Sequence, residues 1–269
     1  MRTLLPEELT EYADGYGIGA DIAQRDYVAV RVAHAIATDP AIGDAVALKG
    51  GFVLRHGYGS GRTSKDIDGT IGTRHATLDP RRLQRTVRGQ CADLGLRFDP
   101  RDPDVGVDSL DFGNLEYTGP FGPGFLTLEM SFREDLMLSP RRLAIDAFGV
   151  PVFSVRALAI EEMIAEKWRC LVQRSPRRPG DLYDLWFYWD ILRRAPRTAD
   201  DAIDAAAVRR LVPRKVDLHD GRAEIVAAMQ AYAPVWANAV GDILPADAPR
   251  FEEVEQAVLQ AIRDWTPWR

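Results

Sequence analysis

The sequence has few cysteines and no long apolar segment, which excludes several classes of protein. Of 269 residues only Cys91 and Cys170 are cysteines, too few for a disulfide framework or a cysteine-ligated zinc site. No apolar run approaches the roughly 20 residues that cross a bilayer. The opening segment, MRTLLPEELTEYADG, is acidic and lacks the basic-then-apolar order of a signal peptide. We therefore expect a folded cytoplasmic protein.

Lysine is also scarce. The chain has four lysines, whereas arginine supplies the rest of its 34 basic residues: the lysines are Lys49, Lys65, Lys167 and Lys215. With 40 acidic residues the net charge is −6, which argues against broad, non-specific nucleic-acid binding but permits a local basic face. A lysine ammonium is a compact charge that suits a triphosphate. All of the lysines except Lys215 lie in segments that carry candidate functional residues.

Arginines gather in two places along the chain. The first group is typical of a solvated helix face and comprises Arg81, Arg82, Arg85 and Arg88. The second group comprises Arg169, Arg174, Arg177 and Arg178. Because the second group lies between two candidate functional segments, a role in phosphate binding is a reasonable alternative to a solvated face.

Residues 47–71, ALKGGFVLRHGYGSGRTSKDIDGTI, carry the most specific pattern. A short apolar strand is predicted to end at a Gly50-Gly51 turn that opens a helix, and a second strand begins near Asp66. Alternation along that strand points Asp66 and Asp68 to one side and Ile67 into the core. Paired carboxylates favour a divalent cation, and glycines at a helix N-terminus favour a phosphate. This combination is the chemistry of nucleotidyl transfer.

Other polar residues could complete such a site. Ser64 is expected either to contact a phosphate or to cap the turn. Glu129 lies on the polar side of the alternating segment FLTLEMSF, so it is either a third metal ligand beside the Asp pair or a solvated strand residue. Asp181 and Asp184 share one helix face. Asp181 could be the helix N-cap, which leaves Asp184 as the stronger functional candidate.

Strands mixed with helices, followed by helices alone, indicate an α+β domain and then a helical domain. A strand is predicted near 114–117 and another at 125–132, whereas 99–124 otherwise suits turns. From residue 155 onward the pattern is helical, with the first two predicted helices at 157–174 and 181–194.

The motifs resemble those of the AbiEii/MenT-type nucleotidyltransferase toxins, within the polymerase-β-like nucleotidyltransferase superfamily. That family pairs a Lys-Gly-Gly turn with Arg-x-Ser-x-Asp-Ile-Asp, and here Lys49-Gly50-Gly51 is followed by Arg62-Thr63-Ser64-Lys65-Asp66-Ile67-Asp68. The helical segments Ala165-Glu166-Lys167 and Asp181-Leu182-Tyr183-Asp184-Leu185 match as well. Gly180 departs from the pattern, since the family usually has arginine there; Arg177 and Arg178 are near enough to substitute.

The resemblance implies a nucleotidyltransferase-type mixed sheet with flanking helices in residues 1–150. It implies an all-helical domain in residues 151–269 that completes the active-site cleft. The implied catalytic residues are Asp66, Asp68, Lys167 and Asp184. The implied nucleotide-binding residues are Lys49, Gly50, Gly51, Arg62, Ser64 and Asp181, and the metal ligands for Mg²⁺ are Asp66, Asp68 and Glu129.

The implied activity is transfer of a nucleoside monophosphate from a nucleoside triphosphate to an acceptor such as the 3′ end of tRNA. That reaction would block translation and growth, and a cognate antitoxin protein is implied as a partner.

Two alternatives compete with this prediction. Asp66-Ile67-Asp68-Gly69-Thr70 also matches the nucleophile segment of haloacid-dehalogenase-type phosphatases. That chemistry requires a hydrophobic strand that ends at the first Asp, and the preceding segment GSGRTSK cannot form one. The other alternative is a non-catalytic nucleotide-binding module, against which the intact Asp pair and lysine argue.

Overall fold

In the computed structural model, residues 4–72, 78–99, 103–133, 135–196, 198, 201–218 and 221–267 are described. The chain divides into two compact units, Met1–Leu158 and Ala159–Arg269. None of the described helices is both long enough and apolar enough to span a membrane.

The N-terminal unit combines helices with a mixed sheet. Its helices are α1 (Pro6–Tyr16), α2 (Ala20–Thr38), α3 (Pro40–Gly43), α4 (Gly50–Tyr58) and α5 (Pro80–Gln90). Its strands are β1 (Ala47–Lys49), β2 (Asp66–Thr70), β3 (Asp104–Val105), β4 (Ser109–Gly119), β5 (Gly122–Ser131), β6 (Arg141–Ile145) and β7 (Phe153–Ala157). The sheet order is β3-β4-β5-β2-β1-β7-β6. The predicted mixed sheet with flanking helices is therefore confirmed.

Strand β2 lies in the middle of this sheet, and its pairing is itself mixed. It runs antiparallel to β1 and parallel to β5. Ile67 is fully buried, whereas Asp66 and Asp68 are half-buried. The alternation predicted from Asp-Ile-Asp is thus present: the isoleucine anchors the strand in the core, and both carboxylates lie on the opposite side of the strand.

Helix α2 is the main helical support of the N-terminal unit. Twelve of its 19 residues are buried. Gln24 also fastens the β4–β5 hairpin, because its amide nitrogen donates to the Gly122 carbonyl at 2.9 Å and its amide oxygen accepts from the Phe121 amide at 2.8 Å. The arginines of α5 are exposed at all of the predicted positions, so the expectation of a solvated face is confirmed for that group.

Several sequence-based boundaries are wrong in this unit. Strand β4 extends over 11 residues, far beyond the short strand predicted near 114–117. Glycines and a bulge between Asp111 and Asn114 interrupt the alternation of apolar and polar residues in this segment. The length of the strand therefore follows from its pairing with β5 and not from its own sequence pattern. Strand β7 occupies residues 153–157, where the helical pattern was predicted to begin, because it pairs in parallel with β1 and antiparallel with β6.

The C-terminal unit is helical. It contains α6 (Ile160–Gln173), α7 (Pro179–Trp186), α8 (Ala205–Lys215), α9 (Gly221–Gln230), α10 (Ala233–Ala239) and α11 (Phe251–Trp265). A π-helical segment, Phe187–Leu192, continues α7. Trp168 and Trp265 are fully buried, and the ring of Trp189 meets that of Trp265 edge to face at 4.9 Å. The aromatic run after α7 therefore packs into the core of this unit.

Candidate active site

The N-terminus of α4 lies against Asp68, the second residue of the Asp pair. Gly50 has a φ of +72°, a conformation that favours glycine, and a β-carbon at this position would lie 2.7 Å from Asp68 Oδ2. The residue therefore lets the start of the helix approach the Asp68 carboxylate closely. The partial positive charge of a helix N-terminus suits both a carboxylate and a phosphate.

Gly51 gives the same close approach to two further side chains. A β-carbon at Gly51 would lie 2.7 Å from Arg62 Nη1 and 2.8 Å from Ser64 Oγ. Arg62 is buried, with 6% of its surface exposed, and its Nη1 donates to the Thr63 carbonyl at 3.0 Å. Arg62 and Ser64, predicted from the motif, thus lie beside the first turn of α4.

If the protein has the nucleotidyltransferase activity that its motifs imply, we expect Gly51→Ala to raise the KM for nucleoside triphosphate by about tenfold, ~1.4 kcal/mol. The added methyl group would displace the Arg62 guanidinium and the Ser64 hydroxyl, and overpacking of this kind costs roughly 1–3 kcal/mol of stability. Steady-state kinetics and urea unfolding would measure the two effects. Gly89→Ala is the matched control, because a β-carbon at Gly89 meets nothing within 4 Å. Equal KM values for the two variants would contradict the assignment.

The sheet register aligns further charged residues with the Asp pair. Lys49 pairs with Asp68 across β1 and β2, and Asp68 pairs with Glu129 across β2 and β5. Residues paired in register lie on one side of a sheet, so Lys49, Asp68 and Glu129 form a single row. The next strand adds Asp111, which pairs with Glu129 and which the sequence analysis missed. Asp111 lies just before the β-bulge, so its register could be obtained only from the strand pairing.

The donor set suits a hard divalent cation. Asp66 and Asp68 lie two residues apart on one side of β2 and are half-buried, which favours ion binding over full solvation. Among the residues that the structure describes, no group of three acidic, histidine or cysteine side chains is gathered closely enough to hold a metal. Glu129, although it is in register with Asp68, therefore stays a predicted third ligand.

Ser64 is held close to Asp66 by local hydrogen bonds. Its hydroxyl donates to the Asp66 carbonyl at 3.0 Å, and the Asp66 amide lies 3.4 Å from the same oxygen. The turn interaction that was predicted as an alternative to phosphate contact is therefore present. It fixes the serine hydroxyl beside both Gly51 and the first residue of β2.

The C-terminal unit gathers its predicted residues around Lys167. The Lys167 ammonium lies 2.7 Å from Asp181 Oδ1 and 2.8 Å from Asp184 Oδ2. Both carboxylates are buried, with side-chain exposures of 2% and 0%. Asp181 and Asp184 share one face of α7, as predicted, and together they hold the ammonium in a defined position.

Asp181 is not the helix N-cap. Helix α7 begins at Pro179, and Arg178 occupies the N-cap position. Proline is favoured in the first helical turn because backbone amides there have no acceptor within the helix, so the lack of an amide hydrogen costs no hydrogen bond. The helix therefore begins at Pro179, before the predicted start at residue 181. Asp181 instead bridges two cations, since its Oδ2 lies 3.0 Å from Arg174 Nη1 while Oδ1 contacts Lys167.

Arg177, considered as a substitute for the arginine missing at position 180, has a different role. Its Nη1 donates to the carbonyls of Leu171 at 2.6 Å and Val172 at 3.1 Å, at the C-terminal end of α6. This guanidinium group therefore caps a helix C-terminus. Arg174, which also belongs to the second arginine group, joins the Lys167 cluster through Asp181.

Lys215, the lysine outside the motifs, is also buried. Its ammonium lies 3.1 Å from Glu162 Oε1 and 3.2 Å from Glu166 Oε1, and only 1% of the side chain is exposed. Lys215 lies outside the candidate functional segments of the sequence, yet it is a buried, ion-paired residue. The ion pairs join α8 to α6, the helix that carries Lys167.

We expect Lys215→Ala to lower the free energy of unfolding by about 3–5 kcal/mol, because it leaves the Glu162 carboxylate buried without its cation. Chemical unfolding would measure this loss. Lys215→Met should recover part of it, since methionine fills the same volume. If the free energy of unfolding of Lys215→Ala lay within about 1 kcal/mol of the wild-type value, as is typical of a surface substitution, the result would contradict a stabilising buried ion pair at Lys215.

Neither cysteine is suited to nucleophilic chemistry. Both are free thiols. Burial raises the pKa of Cys91 to about 11 and raises the pKa of Cys170 above its ordinary value. Both side chains are therefore protonated near neutral pH.

Comparisons with known proteins identify the family of this chain and support its fold. The sequence profile of the AbiEii family, described as nucleotidyl transferase AbiEii toxin of type IV toxin–antitoxin systems, matches residues 34–259. The chain belongs to the AbiEii nucleotidyltransferase toxin family. The matched residues include Lys49, Asp66, Asp68, Lys167 and Asp184. No curated protein sequence matches the chain significantly.

Two solved structures are similar to this chain in fold despite low sequence identity. JHP933 from Helicobacter pylori is 16% identical with a TM-score of 0.59, and the match covers 91% of this chain and 92% of JHP933. MenT4, a nucleotidyltransferase toxin from Mycobacterium tuberculosis H37Rv, is 20% identical with a TM-score of 0.58, and the match covers 96% of this chain and 99% of MenT4. At such low sequence identity, the similarity to these structures supports only the fold of this AbiEii protein.

Family membership and strand geometry both exclude the phosphatase alternative. Strand β2 begins at Asp66, and the residues before it form no strand. A dehalogenase-type nucleophile would have to follow the end of a strand. In this AbiEii protein Asp66 is the first residue of a strand, which is not the position of a dehalogenase-type aspartyl nucleophile.

Proposed function

We propose that this protein transfers a nucleoside monophosphate from a nucleoside triphosphate to an acceptor hydroxyl in a Mg²⁺-dependent reaction. The observation that carries the proposal is that Asp68 of the Asp66–Asp68 pair lies against the N-terminus of α4, where a β-carbon at Gly50 would be 2.7 Å from Asp68 Oδ2. A metal-ligating carboxylate pair beside a helix N-terminus brings the two requirements of this reaction, cation and phosphate binding, to one place.

Each residue of the N-terminal unit has a defined task in this proposal. Asp66 and Asp68 hold Mg²⁺, and Glu129 is the candidate third ligand. Bound Mg²⁺ supplies charge neutralisation on the phosphates and activation of the attacking hydroxyl. Catalysis then rests mainly on positioning and electrostatics.

The phosphate-binding residues surround the first turn of α4. Gly50 and Gly51 leave its backbone amides accessible to the triphosphate. Lys49, Arg62 and Ser64 supply a cation, a guanidinium and a hydroxyl around the same turn. Two observations support this assignment. The side chains of Arg62 and Ser64 lie close to Gly51, and Lys49 is in register with Asp68.

The C-terminal unit contributes Lys167 as a phosphate-binding cation in the same reaction. Asp181 and Asp184 orient its ammonium, which lies within 2.8 Å of each. Asp184 is fully buried, so in this proposal its contribution to catalysis passes through Lys167. On the basis of the family resemblance, we also propose that residues 151–269 complete the active-site cleft.

The proposed acceptor is RNA, with the 3′ end of tRNA as the specific expectation. Modification of that end would prevent aminoacylation and stop growth, which is consistent with membership of a toxin family. A cognate antitoxin would then be required in the same cell. We place the protein in the cytoplasm because both the nucleotide and the RNA are found there.

The acceptor can be tested with purified protein, total RNA, Mg²⁺ and each of the four nucleoside triphosphates labelled at the α-phosphorus. We expect label on RNA of tRNA size, and its removal by a 3′ exonuclease. Oxidation of the terminal ribose with periodate should prevent labelling. Label on protein with none on RNA would overturn the RNA acceptor while retaining nucleotidyl transfer.

A further inference from the structure

A buried polar network joins helices α1, α2 and α4 of the N-terminal unit. Asp26 of α2 accepts from Arg55 Nε, lies 2.9 Å from His56 Nε2, and accepts from the Tyr12 hydroxyl of α1 at 3.0 Å. Burial alone would raise the pKa of Asp26, but His56 and Arg55 hold it at about 2. The carboxylate is therefore ionised at neutral pH, and the stabilisation from the ion pair is lost only as the pH falls from about 4 through 2.

Arg55 uses each of its nitrogens for a different partner. Nε donates to Asp26, Nη2 to the Tyr12 hydroxyl at 3.1 Å, and Nη1 to the Gly61 carbonyl at 2.9 Å. The guanidinium also lies 4.8 Å from the centre of the Tyr16 ring. Such fixed geometry is a property of arginine that lysine cannot reproduce.

The contact with Gly61 links this network to the candidate active site. Gly61 immediately precedes Arg62, whose guanidinium lies against Gly51. Two residues later, Ser64 contacts the backbone of Asp66. Arg55 thus holds one end of the segment 61–64, and the start of β2 holds the other.

We propose that Arg55, fixed by Asp26, is a positioning residue that sets the phosphate-binding segment 61–64 of this nucleotidyltransferase. The expected change in kinetics rests on the proposed function, whereas the expected change in structure rests on the Arg55–Gly61 contact. Loss of the contact releases the backbone at Gly61, and Arg62 and Ser64 then lose their defined places beside α4. The main consequence is weaker binding of the nucleoside triphosphate.

Helix α2, which carries Asp26, also carries a second buried arginine that provides a matched control. Arg31 of α2 is also buried, at 1% exposed, and also binds an Asp, a Tyr hydroxyl and a backbone carbonyl: Asp93 at 2.7 Å, Tyr27 at 2.6 Å and Gln90 at 3.0 Å. The Gln90 carbonyl lies at the end of α5, so the Arg31 network does not touch segment 61–64. The two arginines therefore differ in what they position and not in how they are buried.

The experiment compares full-length Arg55→Lys and Arg31→Lys with wild type at a temperature where unfolding curves show all three folded. Steady-state transfer kinetics would give kcat and the KM for nucleoside triphosphate. Hydrogen–deuterium exchange would report on a peptide that covers residues 59–65. For Arg55→Lys we expect a KM at least about fivefold higher than that of wild type and faster exchange in this peptide. For Arg31→Lys we expect neither change.

The outcomes separate positioning from general stability and from the proposed activity. A lower apparent kcat with unchanged KM in both variants would show a merely structural role and overturn the proposal. Faster exchange in Arg55→Lys with an unchanged KM would overturn it as well. If wild type transfers no nucleotide, the proposed function fails, and exchange alone decides whether Arg55 positions the segment: equal exchange in the two variants overturns that claim.

Discussion

Asp68→Ala is expected to lower kcat for nucleotide transfer by roughly a thousandfold, ~4 kcal/mol, while the protein stays folded. Asp68 is half-buried, in contact distance of the α4 N-terminus and in register with Glu129, so its loss removes a central metal ligand. The fold should persist because Ile67 still anchors β2, and because removal of one of two neighbouring like charges relieves repulsion. Asp66→Ala should behave in the same way.

Labelled-nucleotide transfer and thermal unfolding would test this prediction together. Glu116→Ala is a suitable control, since Glu116 is an exposed acid on β4 whose salt bridge with Arg97 is also exposed. We expect that variant to retain wild-type transfer. Wild-type activity in either Asp66→Ala or Asp68→Ala would contradict the metal assignment.

The second large effect is expected at Lys167. Its ammonium is bound by two buried carboxylates, so Lys167→Ala should lower both stability, by about 3–5 kcal/mol, and kcat/KM, by at least tenfold or ~1.4 kcal/mol. Lys167→Arg should restore transfer poorly, because a planar guanidinium cannot replace a compact ammonium between Asp181 and Asp184. Asp181→Asn should also impair transfer, since Asp181 bridges Lys167 and Arg174.

Lys215→Ala provides the control for stability in this experiment. Lys215 is a buried lysine bound to two glutamates in the same unit, yet it lies outside the proposed machinery. Each variant would be assayed at a temperature where it is fully folded. We expect Lys215→Ala to keep wild-type kcat/KM under those conditions. If the two variants lose transfer equally, Lys167 has no chemical role distinct from packing.

The part of the site that lies on β2 could be predicted from sequence because its signals are local. In Asp-Ile-Asp, one apolar residue between two polar ones specifies which side each faces, and Gly50-Gly51 marks the place where side chains cannot fit. The family motifs supplied the rest of the expectation, including Lys167. The pairing of Asp181 and Asp184 on one helix face follows in the same way from helix geometry.

The parts that could not be predicted depend on contacts between distant segments. Asp26 and Arg55 are 29 residues apart, and neither carries a local sign that it is buried. The same holds for Lys215, which is separated from Glu166 by 49 residues. Strand β7 was missed although its residues alternate between buried and more exposed positions, because the strand has only five residues and lies just before helix α6, so the helical pattern was extended back over it.

The position of the transferred phosphorus tests the central claim most directly. Purified wild type and Asp68→Ala would be incubated with Mg²⁺, cell extract as the source of acceptors, and nucleoside triphosphates labelled at either the α- or the γ-phosphorus. Nucleotidyl transfer predicts that wild type attaches the α-label to a macromolecule and releases the γ-label as pyrophosphate, and that Asp68→Ala does neither. Release of the γ-label as inorganic phosphate without attachment of the α-label, or a phosphorylated Asp66, would contradict the account.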